Sequence, residues 1–562
     1  MTEPHGRSTA GQLLSIIASG WARLAITFFV GLVFTAMMIS EFGLIRFGMY
    51  IFIVQVTDLT LYAFFSALSR TMIRDFTSLR ARGESQEFRR VFSCGVVISA
   101  SLFVLIALVG VPLQALAPIA LDFPTALHTD LMNLVLATAV LGGFYLGITP
   151  WQAMVVSSGK ILQLNAFYLS LRVGDLLALL AVARFGPENG FLAFIWTRLA
   201  LRVVGMTLLA MYGRKQSDNA RFVPSLVRKE TFRRLGRTGG LAMSIPISQF
   251  SLYELDQIFL NVFAGPIYNS IYGVSNQLRG YARLAGSSII LGTDALASDL
   301  QERGRLDSAR NVLDATVRFP LIITGCCAIL LAVFAQPVVT IWLFDAIQEG
   351  LTSSEFTADG LVSMITSFAV LMIVGTVIAE PHYSAISVLY GLGHLRRIAP
   401  VLLASAVLKP TITVALLASG FPAISAIVVT VSIQAIVYGV YFPWLIGRVS
   451  ERSPRRLFVS VYLRPLTSLA IFLGIAIGVR SLVTIDSVVD LGLVLGLTGA
   501  TYAPLGYFLA LKPAERKRII GMIACRLGRS RAKTAPAPVA GQPAQDQPPG
   551  SASTTSDIDT PR

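Results

Sequence analysis

Apolar residues run in long blocks along this chain, and short polar stretches separate them. Twenty or so consecutive apolar residues is the length that crosses a bilayer's hydrocarbon core as a helix. Fourteen such blocks can be marked, at roughly 12–39, 45–68, 91–118, 129–157, 161–184, 190–213, 238–264, 266–297, 318–344, 360–391, 398–419, 421–447, 464–484 and 488–511. The ten-residue alternating segments of a membrane barrel are absent. The pattern predicts an all-α polytopic membrane protein with about 14 transmembrane helices.

The stretches between the blocks sort by sign. Loop 69–90 carries Arg70, Arg74, Arg80, Arg82, Arg89 and Arg90. Loop 214–237 carries Arg214, Lys215, Arg221, Arg228, Lys229, Arg233, Arg234 and Arg237. Arg396 and Arg397 follow in loop 392–397, and Arg448, Arg452, Arg455 and Arg456 in loop 448–463. The alternate loops hold Asp122, Glu188, Asp345, Glu349, Glu355, Asp359 and Asp486, with Arg46 as their one base. Basic loops stay in the cytoplasm, so both termini are expected there. Loops 69–90 and 214–237 read either as amphipathic helices on the inner leaflet or as solvated basic loops.

Composition agrees with this picture. Hydrophobic residues make up 54% and charged residues 14%, with a mean hydropathy of +0.68; soluble domains carry about 25% charged residues. The net charge of +15 lies mostly in the short inside loops, which removes nucleic acid as its explanation. Cys94, Cys326, Cys327 and Cys525 lack metal-ligand spacing and imply no disulfide framework. The first block is too long for a cleaved signal peptide. Beyond Lys533 the chain is rich in Pro, Ala, Gly, Ser and Gln, a composition expected to stay disordered.

An internal repeat divides the chain. Aligning Gly43 with Gly265 also aligns Ile45 with Ile267, Tyr50 with Tyr272 and Gln55 with Gln277. Aligning Gly159 with Gly393 also aligns Val173 with Val407 and Gly186 with Gly420. Both shifts equal six blocks. Six is even, so the halves have the same orientation and an axis along the membrane normal. The expected organisation is a six-helix lobe over 1–213, a basic cytoplasmic linker over 214–237, a second six-helix lobe over 238–447, two additional helices over 464–511, and a basic then disordered cytoplasmic tail over 512–562.

Charge inside the apolar blocks is what points to function. The stretch 251–283, SLYELDQIFLNVFAGPIYNSIYGVSNQLRGYAR, carries Glu254, Asp256, Arg279 and Arg283 around the tight turn Ala264-Gly265-Pro266. Each charge at bilayer depth costs roughly 2.5–3.5 kcal/mol on insertion scales, so such groups face a bundle interior or a wet cavity. Seven deep bases (Arg23, Arg172, Arg198, Arg202, Arg279, Arg283 and Lys409) face five deep acids (Asp58, Asp175, Glu254, Asp256 and Glu380). Depth alone matches Arg23 with Asp58, Glu380 with Lys409, Asp175 with Arg198, and Glu254 or Asp256 with Arg279. Arg202 and Arg283 are hardest to match. The surplus of bases suits an anion, because arginine forks fit phosphate oxygens and stay charged. The bases are therefore the substrate-binding candidates, and Asp58, Glu254, Asp256 and Glu380 the coupling-ion candidates. Tyr253, Tyr272, Tyr383 and neighbouring amides suit sugars or helix–helix hydrogen bonds. Glu380-Pro381-His382 is expected to break the tenth block in mid-membrane. No cofactor is implied.

Three stretches resemble a known group. They are FGLIRFGMYIFI (42–53), ELDQIFLNVFAGPIYNSIYGVSNQL (254–278), and YGLGHLRRIAPVLLASAVLKP (390–410) with GFPAISA (420–426). Over about residues 10–510 the chain resembles the superfamily that joins multidrug exporters with oligosaccharide-lipid and polysaccharide flippases. It most resembles the polysaccharide-repeat flippases of the bacterial inner membrane. Lys409 departs from that pattern, which has Asn or another neutral residue there. The resemblance implies alternating-access export of a polyprenyl-pyrophosphate-linked oligosaccharide through a basic lumen, with membrane lipids and other polysaccharide-assembly proteins as partners. The alternative is a cation-coupled multidrug exporter, which would favour an acidic or aromatic lumen. A membrane polymerase or acyltransferase would need a catalytic constellation on a sizeable outside loop, and the longest, 345–359, offers no nucleophile–base pair. SSGKIL at 157–162 lacks the first glycine of a phosphate-binding loop, which argues against ATP drive.

Overall fold

The computed structural model describes residues 9–216, 221–287, 304–351 and 356–513, with isolated positions between and beyond them. Glu355, Cys525 and the tail beyond residue 516 lie outside the described residues. So do the side chains of Arg23 and Asp58. Residues 1–510 form one compact unit and 511–562 a second. In the second, the Lys512 amide donates to the Glu515 carboxylate at 2.8 Å.

The described fold is built from helices. They are α1 (Thr9–Phe42), α2 (Leu44–Arg82), α3 (Ser85–Ala120), α4 (His128–Gly147), α5 (Thr149–Ser157), α6 (Ile161–Val182) and α7 (Pro187–Arg214). Then come α8 (Lys229–Ala242), α9 (Ser244–Tyr253), α10 (Leu255–Ala264), α11 (Ile267–Ser287), α12 (Leu306–Val333) and α13 (Ala335–Gly350). The last are α14 (Ala358–Gly391), α15 (Leu395–Ala418), α16 (Ser425–Gln434), α17 (Phe442–Val449), α18 (Pro454–Leu457), α19 (Arg464–Leu482) and α20 (Val488–Leu505).

Among the described residues, eleven helical segments are long and apolar enough to span a membrane. The three expected spans that fall short are instructive. In α2 the stretch Leu44–Thr57 is apolar, and the side chains of residues 58–63 lie outside the described residues. The block at 238–264 is cut into α9 and α10, and α11 carries the polar run from Asn269 to Arg283. Asp256, Arg279 and Arg283 lie on the second and third of these segments.

Two local expectations change. Loop 69–90 is not a separate surface helix: α2 runs through it to Arg82, ends on the left-handed Gly83 (φ 73°), and α3 starts at Ser85. At about 1.5 Å per residue, a helix of 39 residues outruns the ~30 Å hydrocarbon core. The Glu380-Pro381-His382 break is also absent, since α14 is continuous through Pro381. The imidazole Nδ1 of His382 donates to the Ile378 carbonyl one turn back, at 2.9 Å. That fixes the tautomer, so Nε2 accepts from the Tyr462 hydroxyl, also at 2.9 Å. Two π-helical segments, Ala435–Tyr441 and Phe458–Leu463, bring Tyr438 and Tyr462 against this point.

Backbone conformation carries the repeat. Every described glycine with positive φ belongs to a pair: Gly43 with Gly265, Gly83 with Gly304, Gly159 with Gly393 and Gly186 with Gly420. The Gly83–Gly304 offset lies within one residue of the Gly43–Gly265 offset. Gly43 (φ 84°) and Gly265 (φ 99°) sit between consecutive helices where a Cβ would be strained.

The contact between the halves follows the same symmetry. At the Gly43–Gly265 offset, Gly48 falls on Ser270 and Ile51 on Gly273, and both pairs touch. A Cβ on Gly48 would lie 2.3 Å from Ser270 Oγ, and one on Gly273 2.5 Å from Ile51 Cγ2. Residues that touch their own repeat mates mark the axis of a two-fold. Around it, the Gln257 and Asn276 amides each donate to Gln55 Oε1 at 3.1 Å. Reciprocally, the Thr35 hydroxyl donates to Gln277 Oε1 at 2.9 Å. Gln55 and Gln277 are repeat mates, as are Thr35 and Gln257, so one clasp is made twice. A large apolar core surrounds it, with Met38, Phe47, Phe194, Leu260, Ile271 and Leu343 buried.

Candidate functional site

The first cluster of charge centres on Asp175 of α6. Its carboxylate is buried and takes a two-pronged grip from Arg202 of α7: Arg202 Nε donates to Oδ1 at 3.0 Å and Nη2 to Oδ2. Arg198, one turn earlier on α7, brings Nε to 3.8 Å from Oδ1 and lays its guanidinium over Tyr50, 5.4 Å from the ring centroid. Both arginines face α6 because they are four residues apart. Arg172, one turn before Asp175, is exposed. No carboxylate lies within 4 Å of it among the described residues. It stands on the same helix as Asp175, three residues before it. Two arginines of α7 thus face one acid, with a third one turn before it on α6. A small void beside Arg198 is lined by Tyr50, Leu134, Thr138 and Ile195.

The second cluster lies where α10, α11, α14, α15 and α16 meet. The chain breaks at Glu254 between α9 and α10, which turns Asp256 inward. Lys409 of α15 pairs with Asp256 Oδ1, and Thr430 of α16 donates its hydroxyl to Oδ2 at 2.8 Å. Arg283 of α11 pairs with Glu380 of α14 at 2.8 Å. Arg279 is 7% exposed and has no carboxylate within 4 Å among the described residues. Its Nε donates to Asn276 at 2.7 Å, its guanidinium carbon stands 4.0 Å above the Tyr253 ring, and its Nη1 has no hydrogen-bond partner among the described residues. Glu254 is equally buried, and its Oε2 is unpartnered among the described residues. Hydroxyls of Tyr438, Tyr383 and Tyr253 form a chain with 3.1 Å links.

Several expected pairings give way. Glu380 meets Arg283, not Lys409, and Lys409 meets Asp256. Asp175 lies beside Arg198 as expected, but Arg202 holds it more closely. Arg202 and Arg283, expected to be hardest to pair, both sit in ion pairs, while Arg279 and Arg172 have none among the described residues. The pairing of Arg23 with Asp58 lies outside the described residues. Arg46, the exception among the acidic loops, is neutralised by Asp130 of α4 at 2.9 Å.

Sequence reasoning missed Arg318, which is 2% exposed within α12, and the ion pair of Asp314 with Arg452. Arg318 opens an apolar block in the sequence, so it reads as a loop base. The helix begins at Leu306, which places it well inside. Thr430 and Gln434 gave no signal, since single polar residues are common in membrane helices.

No family model matches the sequence, and no curated protein matches it. Solved structures do match. The lipid II flippase MurJ in an inward closed conformation superposes with a TM-score of 0.60 at 11% identity, over 88% of this chain and 99% of that one. The MATE multidrug transporter DinF-BH in complex with R6G gives 0.59 at 13% identity, over 80% and 99%. A multidrug resistance MATE family transporter of the MOP superfamily, in an inward-facing conformation, gives 0.58 at 13%, over 77% and 99%. At such identities the likeness establishes the fold: this chain is folded like these transporters along nearly their whole length.

Proposed function

We propose that this chain is an inner-membrane flippase that moves a polyprenyl-pyrophosphate-linked oligosaccharide across the membrane by alternating access. The observation that carries this reading is the excess of positive charge around Asp175, where Arg198 and Arg202 face a single carboxylate and Arg172 stands one turn before it on α6. An excess of charge at that depth calls for an anionic ligand or a wet cavity. A pyrophosphate supplies the charge and the oxygen geometry that guanidinium forks take. Arg202 is committed to Asp175, so Arg172 and Arg198 are the direct anion contacts in this half. Arg279, stacked over Tyr253 with its Nη1 unpartnered among the described residues, is the contact in the other half. Arg283 joins it when substrate displaces Glu380. Glu254 and Glu380 serve as the coupling carboxylates, and the two repeat-related lobes rock about the site.

The fold shared with MATE multidrug transporters supports a second reading, a cation-coupled multidrug exporter. The charge balance around Asp175 argues against a cationic cargo. The experiment is deletion of the protein with rescue by wild type or Arg172→Gln. Because Arg172 is exposed, its Gln variant keeps normal abundance. Under the flippase reading, a lipid-linked glycan accumulates on the cytoplasmic leaflet in the deletion and with Arg172→Gln, and drug sensitivity is unchanged. Drug hypersensitivity without any glycan accumulation contradicts the flippase reading.

A further inference from the structure

Asp256 and Lys409 have the driest charges among the described ion pairs, with both side chains 0% exposed. The ammonium lies against Oδ1, and the Thr430 hydroxyl donates to Oδ2 at 2.8 Å. One turn along α15, Thr413 is also fully buried, and its hydroxyl has no hydrogen-bond partner among the described residues. Beside the carboxylate is a void of about 10 Å³, bounded by Tyr253, Tyr272, Arg279, Thr430 and Gln434; that is room for about one water.

A carboxylate held this way needs a cation, because an unpaired buried charge is strongly destabilising. The cation can come from solution or from the chain. A solution ion binds and leaves, so its occupancy can follow a transport cycle. An ammonium on a four-carbon stem cannot leave. The repeat sharpens the contrast. At the offset shared by the Gly159–Gly393 and Gly186–Gly420 pairs, Lys409 takes the place of Asp175. The first half sets an acid there and meets it with arginines from α7. The second half sets an amine there and meets it with an acid from α10.

We propose that Lys409 is a built-in counter-cation: it fills a monovalent-cation site made by Asp256 and Thr430, so this carboxylate exchanges no ion with solution. Removing the amine opens that site to a small primary ammonium or an alkali cation. This rests on the transporter reading only for its consequence, that cation coupling, where present, runs through other carboxylates. The binding chemistry stands without it.

The test is thermal unfolding of the purified full chain in sodium, propylammonium and choline chlorides at equal ionic strength. Wild type should melt at the same temperature in all three. Lys409→Ala should melt lower in choline and regain most of the loss, saturably, in propylammonium or sodium, because a ligand that binds only the folded state raises its stability. Adding Asp256→Asn to Lys409→Ala should abolish the response. Should Lys409→Ala not accumulate, Lys409→Gln and the wild-type titration decide. A saturable sodium response in wild type that disappears in Asp256→Asn overturns the proposal. So does a folded Lys409 variant indifferent to every cation. Failure of the lipid-linked substrate reading leaves these melting curves unchanged, so the two claims fail separately.

Discussion

Changing Arg202 to Gln separates a residue that holds the protein together from one that holds its cargo. In the structure Arg202 grips both oxygens of Asp175, whose side chain is 6% exposed. The variant deletes two charge-assisted hydrogen bonds, each worth about 1.5–3 kcal/mol. It leaves Arg198 at 3.8 Å from Oδ1, and at an effective dielectric constant near 20 that contact retains about 4 kcal/mol of attraction. Arg198 thus limits the damage, and the expected loss is about 3 kcal/mol, at the low end for a broken buried pair. Unfolding in detergent, with abundance in membranes, measures it. Adding Asp175→Asn to Arg202→Gln should restore most of the stability, because no bare carboxylate remains. Arg202→Gln with wild-type stability but no export would refute the reasoning and make Arg202 a substrate contact. Failure of Asp175→Asn to rescue would refute it from the other side.

Three further outcomes follow from the same geometry. Cysteines at Gln55 and Gln257, joined by a short thiol-reactive linker, should stop export until the link is reduced; full export with the link in place means the clasp never opens. Tyr462→Phe should leave His382 Nε2 buried without a donor and destabilise the chain by about 1–3 kcal/mol, read by the same unfolding assay; an unchanged midpoint removes the role given to Tyr462. In intact cells, cysteines at Asp122 and Glu188 should react with an impermeant thiol reagent, and those at Arg82, Arg228 and Arg455 should not; labelling of Arg228 reverses the topology.

The fold was readable because its determinants are one-dimensional. The length of an apolar block, the sign of a loop and a glycine at a left-handed turn are all visible in a linear sequence. Gly43, Gly265, Gly159 and Gly393 show this, since each glycine match made on sequence reappears as a matched positive φ. Side-chain partnership is different. Counting residues from a helix end gives depth, but the rotation of the helix decides which neighbour a side chain meets. Glu380 and Lys409 share a depth, yet α14 turns Glu380 to Arg283 and α15 turns Lys409 to Asp256. Boundaries add a second error: α12 starts twelve residues before the apolar block does, which hid Arg318. Pro381 misled because a proline removes a single intrahelical donor, to the Val377 carbonyl, and α14 runs on through it.

The charge excess around Asp175 is the central claim, and headgroup selectivity tests it most directly. Native mass spectrometry of the purified chain should show polyprenyl pyrophosphate bound in preference to polyprenyl monophosphate of the same chain length. Arg172→Gln should weaken the pyrophosphate lipid by roughly 10- to 150-fold, the loss of one hydrogen bond to a charged group at about 1.5–3 kcal/mol, while the monophosphate changes little. Equal binding of the two lipids by wild type, or an unchanged preference in Arg172→Gln, would contradict the account.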